Sequence, residues 1–159
     1  AVIERSRDHF DIETSLSRKD STEKLDKAYK DGKKAFVLYH SGSYTLMTLK
    51  STEIMHELMP NASKALCELD VSVLHTLVLE RIFGIDKENM ANQKNLTYTR
   101  VLDEAIEAVD NGSADCSFIL NPTRVSEIRD VALAGEKMPQ KSTYFYPKLT
   151  TGLVMNKIF

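Results

Sequence analysis

Two β-rich runs across a short turn constrain the fold of this chain more than any other feature. Ala35-Phe-Val-Leu-Tyr39 and Tyr44-Thr-Leu-Met-Thr-Leu49 flank His40-Ser-Gly-Ser43. Apolar, aromatic and β-branched residues on both sides of a glycine-containing turn predict an antiparallel hairpin. A lone hairpin cannot bury its faces, so it needs further strands or helices against it. Ser117-Phe-Ile-Leu120 supplies a continuous apolar run of the kind expected for an inner strand. His9-Phe-Asp-Ile-Glu-Thr14 alternates, with Phe10 and Ile12 on one face, and reads as a short edge strand. Leu96-Thr-Tyr98 reads as a short strand, and Gly152-Leu-Val-Met155 as a returning one.

Helical patterns lie between these runs. Ser21 to Lys30 has a narrow apolar stripe of Leu25, Ala28 and Tyr29, with Ser21 as its cap and Gly32 as its stop. Residues 51–68 read as helix interrupted at Met59-Pro60. Asp70 is expected to cap a helix reaching Phe83 and ended by Gly84, with apolar residues around most of its circumference. Asp86 to Lys94 is a polar loop. Val101 to Asp110 carries Leu102, Ala105, Ile106 and Val109 on one face. Asn121-Pro-Thr123 turns the chain into a helix over 124–134, capped by Thr123 and stopped by Gly135. Strands and helices interspersed in this way predict an α+β fold, a mixed β-sheet including one β-hairpin with helices packed on it. At 159 residues the chain reads as one domain.

Composition excludes several function classes. Hydrophobic residues make up 42% of the chain and charged residues 28%, as in ordinary globular proteins. No apolar run approaches the roughly 20 residues needed to cross a bilayer, so no membrane partner is expected. The first residues lack the apolar stretch of a secretion signal, and the start without Met reads as a trimmed or processed chain. A formal charge of −2 argues against a nucleic-acid partner. Cys67 and Cys116 stand apart, without metal-ligand spacing, which suits a reducing cytoplasmic setting. His9, His40 and His56 have no ligand spacing either, and no metal site is expected. His75, on an apolar stripe, reads as a buried, hydrogen-bonded core residue rather than a base.

The chemistry concentrates near the end. Four of the 21 basic residues follow Glu136 and no acid does, leaving 17 bases against all 23 acids before that point. A cationic segment on an acidic domain points to an anion site. Lys137-Met-Pro-Gln-Lys-Ser-Thr-Tyr-Phe-Tyr-Pro-Lys148 holds the candidates. Lys141 and Lys148 can carry phosphate, Ser142 and Thr143 can donate hydrogen bonds, and Tyr144 can stack on a flat ligand. Asn121, Thr123 and Arg124, at the start of a helix, can add backbone N–H groups and a further charge. Both lysines are expected to point into one cleft near that helix start. The competing reading packs the aromatic rings on the core and leaves the lysines in water. The phosphate-loop, dinucleotide, nucleophile-elbow and zinc-protease motifs are all missing, and no catalytic residue is assigned.

Three blocks carry a family resemblance: Leu69-Asp-Val-Ser-Val-Leu-His75 with Leu79-Glu80 and Gly84-Ile85; Phe118-Ile-Leu-Asn-Pro-Thr123; and Ala134 to Leu149 with Thr151-Gly-Leu-Val154. On these the chain resembles the C-terminal part of the DUF1015 family, prokaryotic proteins of unassigned function. Members are longer and carry an upstream His-His-Arg-Tyr-Glu-Thr block, so the resemblance implies the C-terminal fragment of a longer protein. The rest of that longer chain is then its partner in any active site. Many members have Arg-Asp where this chain has Arg100-Val101. The resemblance further implies an association with phosphoserine biosynthesis and free-serine phosphorylation. The expected function is accordingly a cytosolic small-metabolite phosphotransferase with a phosphate-binding loop at 137–148. A nucleotide with Mg, the base and the metal ligands would then belong to the full-length protein. The alternative is a non-catalytic ligand-sensing or protein-interaction module.

Overall fold

The computed structural model describes residues 2–85, 88 and 96–144. A short helix α1 (Val2–Ser6) leads into β1 (Phe10–Leu16) and α2 (Arg18–Lys30). The hairpin follows as β2 (Ala35–His40) and β3 (Ser43–Leu49). Ser41 and Gly42 alone connect it, with φ of 49° and 76°. Two consecutive left-handed residues make the tight turn whose twist matches its strands. Glycine occupies the second of them, where other residues are strained.

Phe36, Val37, Leu38, Leu46, Met47, Phe118, Ile119 and Leu120 belong to one sheet, as expected, with strand order β1-β3-β2-β4, where β4 is Ser117–Leu120. The α+β class, the hairpin and the covering helices agree with the sequence reading. All three pairings among the described strands are antiparallel rather than mixed. β1 is an edge strand, as its alternation predicted. It carries a bulge between Glu13 and Leu16, where Ser15 has a φ of 59°. β4 was expected inside the sheet. Among the described strands it pairs only with β2, and its residues are half-buried. The strand expected at 152–155 lies outside the described residues, as does most of the 86–94 loop. Residues 96–99 form no strand.

Every residue from Ala35 to Tyr39 is buried because the sheet is covered on both faces. Phe36, Leu38, Met47 and Leu49 point to one face and meet Phe10, Met55, Cys67, Val73, Leu74, Leu77 and Val78. Ala35, Val37, Tyr39, Tyr44 and Leu46 point to the other and meet Leu25 and Ala28 of α2. Ile106 and Val109, from the helix Leu102–Asp110, join that second layer.

The first layer is covered by α3 (Glu53–Leu58), α4 (Lys64–Cys67) and a longer helix, α5. The break expected at Met59-Pro60 falls between α3 and α4. Helix α5 begins as Asp70–Ser72 and continues over Val73–Ile82 with π-helical i→i+5 winding. Its less buried pairs, His75–Thr76 and Glu80–Arg81, recur at five residues, the span of an i→i+5 hydrogen bond. The helix Leu102–Asp110 is α6 and Val125–Leu133 is α7. Among the described residues no helix is long and apolar enough to cross a membrane.

Three helix starts differ from the sequence reading. Ser17, not Ser21, caps α2, its Oγ accepting from the Asp20 N–H at 3.0 Å. Ser21 is buried inside the helix and donates to the Arg18 carbonyl at 2.8 Å. Asp70 is the first residue of α5 rather than its cap, which is Leu69. Thr123 does not cap α7. The Glu127 carboxylate instead reaches back to the Arg124 N–H at 2.9 Å. Only in α2 do two serines compete for the cap; α5 starts at Leu69 without a side-chain cap, and α7 uses the Glu127 carboxylate.

Candidate functional site

The site is assembled from the turn after β4 and the loop after α7. Gly135 ends α7 with a φ of 74°. The next residue, Glu136, accepts the Ser63 N–H on both carboxylate oxygens, at 3.0 and 3.1 Å, tying the loop to the start of α4. The chain then turns at Pro139. Ser142 donates its Oγ–H to the Pro139 carbonyl at 2.6 Å, and its N–H points to the same oxygen at 3.4 Å. This turn holds Lys141 at a φ of 61°, a left-handed conformation that costs a non-glycine residue roughly 1–2 kcal/mol.

A hydrogen bond joins the described parts of the two candidate segments. Thr123 Oγ1 donates to the Ser142 carbonyl at 3.1 Å, so the 121–124 turn and the lysine loop are adjacent, as their roles required. Arg100 comes to the same edge from a segment the sequence reading did not count as part of the site. Its guanidinium carbon lies 3.8 Å from the centre of the Tyr144 ring, close enough for a cation–π contact. No local signal marks this meeting, because the two residues are 44 positions apart in the chain.

The remaining candidates separate by what their polar atoms already hold. Asn121 Nδ2 donates to the Leu25 carbonyl at 3.0 Å. Arg124 donates to the Tyr29 carbonyl, and its guanidinium carbon stacks 4.1 Å from the centre of that ring. Both side chains therefore fasten the turn to α2. Lys141 is exposed and makes no ion pair with a described residue, and Thr143 is half-buried. Lys148 lies outside the described residues, so its approach to Lys141 does too.

Behind the turn sits a group of four charges. Lys34 Nζ pairs with Glu127 Oε1 at 3.0 Å, with side chains only 18% and 25% exposed. Asp70 faces this pair, and its Oδ1 is buried without a hydrogen-bond partner among the described residues. Burial, with a smaller contribution from Glu127, raises its carboxyl to about 6, against Lys34, the Ala35 N–H and Arg124, which pull it down. The Glu127 carboxylate also fills the place at the α7 N-terminus that a bound anion would take.

Other chemical groups are quiet. His75 is mostly buried, as expected, but the expected hydrogen bond is missing among the described residues. Its ring meets Tyr98 edge-on at 6.3 Å. Burial lowers its pKa. Burial likewise raises the Cys67 and Cys116 thiols, so neither is activated as a nucleophile. Among the described residues no cluster of three His, Cys, Asp or Glu side chains is placed to hold a metal. No protein-family model, curated protein or solved structure matches this chain.

Proposed function

We propose that the 139–144 loop, with Thr123 and Arg100, is the oxyanion-binding edge of a small-metabolite phosphotransferase. Free serine is the acceptor that the DUF1015 resemblance suggests. The observation that carries the reading is Lys141, an exposed cation without an ion-pair partner among the described residues, held in a left-handed backbone that two hydrogen bonds enforce. Strain of this kind persists where surrounding structure over-determines it, and it gathers at ligand sites. Arg100 adds a second cation within reach of the loop through its contact with Tyr144. In phosphoryl transfer, positioning and charge stabilisation supply most of the catalysis, which suits a segment rich in donors and poor in bases. Lys141 and Lys148 bear the phosphate charge, Thr143 donates to it, and Tyr144 contacts the base or substrate. The general base and Mg ligands come from the remainder of the longer chain.

The second reading, a cytosolic ligand-sensing module without turnover, is favoured by the engagement of Asn121 and Arg124 with α2. One pair of measurements separates them. The chain is titrated with Mg-ATP, and the longer protein is assayed for serine-dependent nucleotide consumption. Binding with consumption supports transfer, and binding without it supports sensing. Unchanged affinity in a Lys141→Ala, Arg100→Ala double variant refutes both uses of this edge.

A further inference from the structure

Where the end of α1 and the turn before β1 meet the last turn of α5, Arg5, Asp8, His9, Arg81 and Ile82 line a cleft of about 240 Å³. We propose that this cleft binds a small phosphate monoester, independently of the 139–144 loop. Arg5 and Arg81 take the phosphate, and Asp8 accepts a hydrogen bond from a hydroxyl or ammonium on the organic part.

The backbone of the walls is fixed before any ligand arrives. Ser6 is fully buried at the end of α1, and Ile3 packs on the core, so packing sets the backbone position of Arg5, whose side chain is exposed. The His9 N–H donates to the Ser6 carbonyl at 3.1 Å, and the Lys50 N–H donates to the His9 carbonyl at 3.0 Å. Lys50 Nζ adds a bond to the Arg7 carbonyl at 2.7 Å. The turn holding Asp8 and His9 is thus pinned to β3, while Arg81 and the buried Ile82 come from the last turn of α5.

The charged side chains of Arg5, Asp8 and Arg81 are exposed and turned to solvent rather than to one another. No side chain of Arg5, Asp8, His9 or Arg81 makes a hydrogen bond or ion pair with any described residue. Cations in the last turn of a helix compensate its dipole, and both arginines sit in such turns. That role needs no particular direction, and α1 has only five residues to generate a dipole. It does not account for two guanidiniums from different elements lining one cleft while the carboxylate beside them pairs with neither. Two forked guanidiniums match the oxygen geometry of phosphate. Two arginines against one aspartate give the lining a net +1, which favours an anionic ligand and leaves Asp8 free for its polar substituent.

The test is a titration of the whole chain, following backbone amide resonances, with inorganic phosphate, ethyl phosphate and phosphoethanolamine as probes. Shifts are expected at residues 5–9 and 81–82 with all three, and tighter binding of phosphoethanolamine than of ethyl phosphate. An Arg5→Gln, Arg81→Gln double variant loses about tenfold or more in affinity. Arg81→Gln alone, at an exposed position that leaves the fold intact, loses part of that. Asp8→Asn abolishes the preference for phosphoethanolamine, and Lys141→Ala changes none of these values. Absence of shifts at the cleft residues, or full affinity in the double variant, overturns the proposal and leaves the reading of the 139–144 loop untouched.

Discussion

Replacing Asp70 with Asn should stabilise this protein near neutral pH and do almost nothing in acid. The carboxyl starts from an ordinary value of 3.8 and is raised to about 6 in the folded state, chiefly by burial. The folded protein therefore binds this proton more tightly than the unfolded chain does. The stability linked to it is fully present below 3.8 and is lost as the pH rises through about 6. About two pKa units at roughly 1.4 kcal/mol each come to about 3 kcal/mol. Solvent reaches part of the residue, and screening trims that toward about 2 kcal/mol. Asn keeps the shape and carries no charge to bury, so the variant escapes the loss. Urea unfolding of both proteins at pH 4, 5, 6, 7 and 8 reads the difference as a shift in midpoint at constant slope. The two curves should coincide at pH 4 and diverge by pH 7, with the variant ahead. A variant that is less stable at pH 7, or a gap that is flat from pH 4 to 8, would refute the reasoning. Either result would mean that Lys34 and Arg124 outweigh burial at this site.

Three further outcomes follow from the same structure. Phe36→Ala removes a fully buried ring that meets Phe10 at 5.5 Å and Phe118 at 5.9 Å, and should cost about 3–5 kcal/mol in the same unfolding assay. Lys141→Gly should relieve the left-handed backbone and raise stability by up to about 1 kcal/mol while weakening phosphate or nucleotide binding; equal or tighter binding would separate the strain from function. The His75 ring should titrate below its ordinary 6.5 when followed by proton NMR, and His75→Leu should leave ligand binding unchanged, since burial alone lowers its pKa.

Local chemistry was read most reliably where one interaction range decides the outcome. The Ser41-Gly42 turn, the alternation of β1 and the stripe of α6 follow from backbone sterics and side-chain period, which neighbouring residues fully specify. Helix starts were read less well, because a residue with capping chemistry does not have to use it where packing shifts the helix start by one to four residues. Ser21 lost to Ser17 because it lies inside α2, its side chain buried and bonded to the Arg18 carbonyl. The Asn121–Arg124 and 139–144 segments were both legible as polar turns, and their adjacency was anticipated. What their side chains hold was not, because Leu25, Tyr29 and Arg100 come from distant parts of the chain.

Sequence alone determined the class of the fold, its hairpin, its main helices and the concentration of cations near the end. These depend on hydrophobic period, turn sterics and charge count, all of which are local. Only the tertiary structure decided that β4 pairs with β2 alone among the described strands and that Asp70 is buried against a Lys34–Glu127 pair. It also brought Arg5 and Arg81 to one cleft. Each of these depends on which distant surfaces exclude water together, and that is set by the packing of the whole chain rather than by any segment of it.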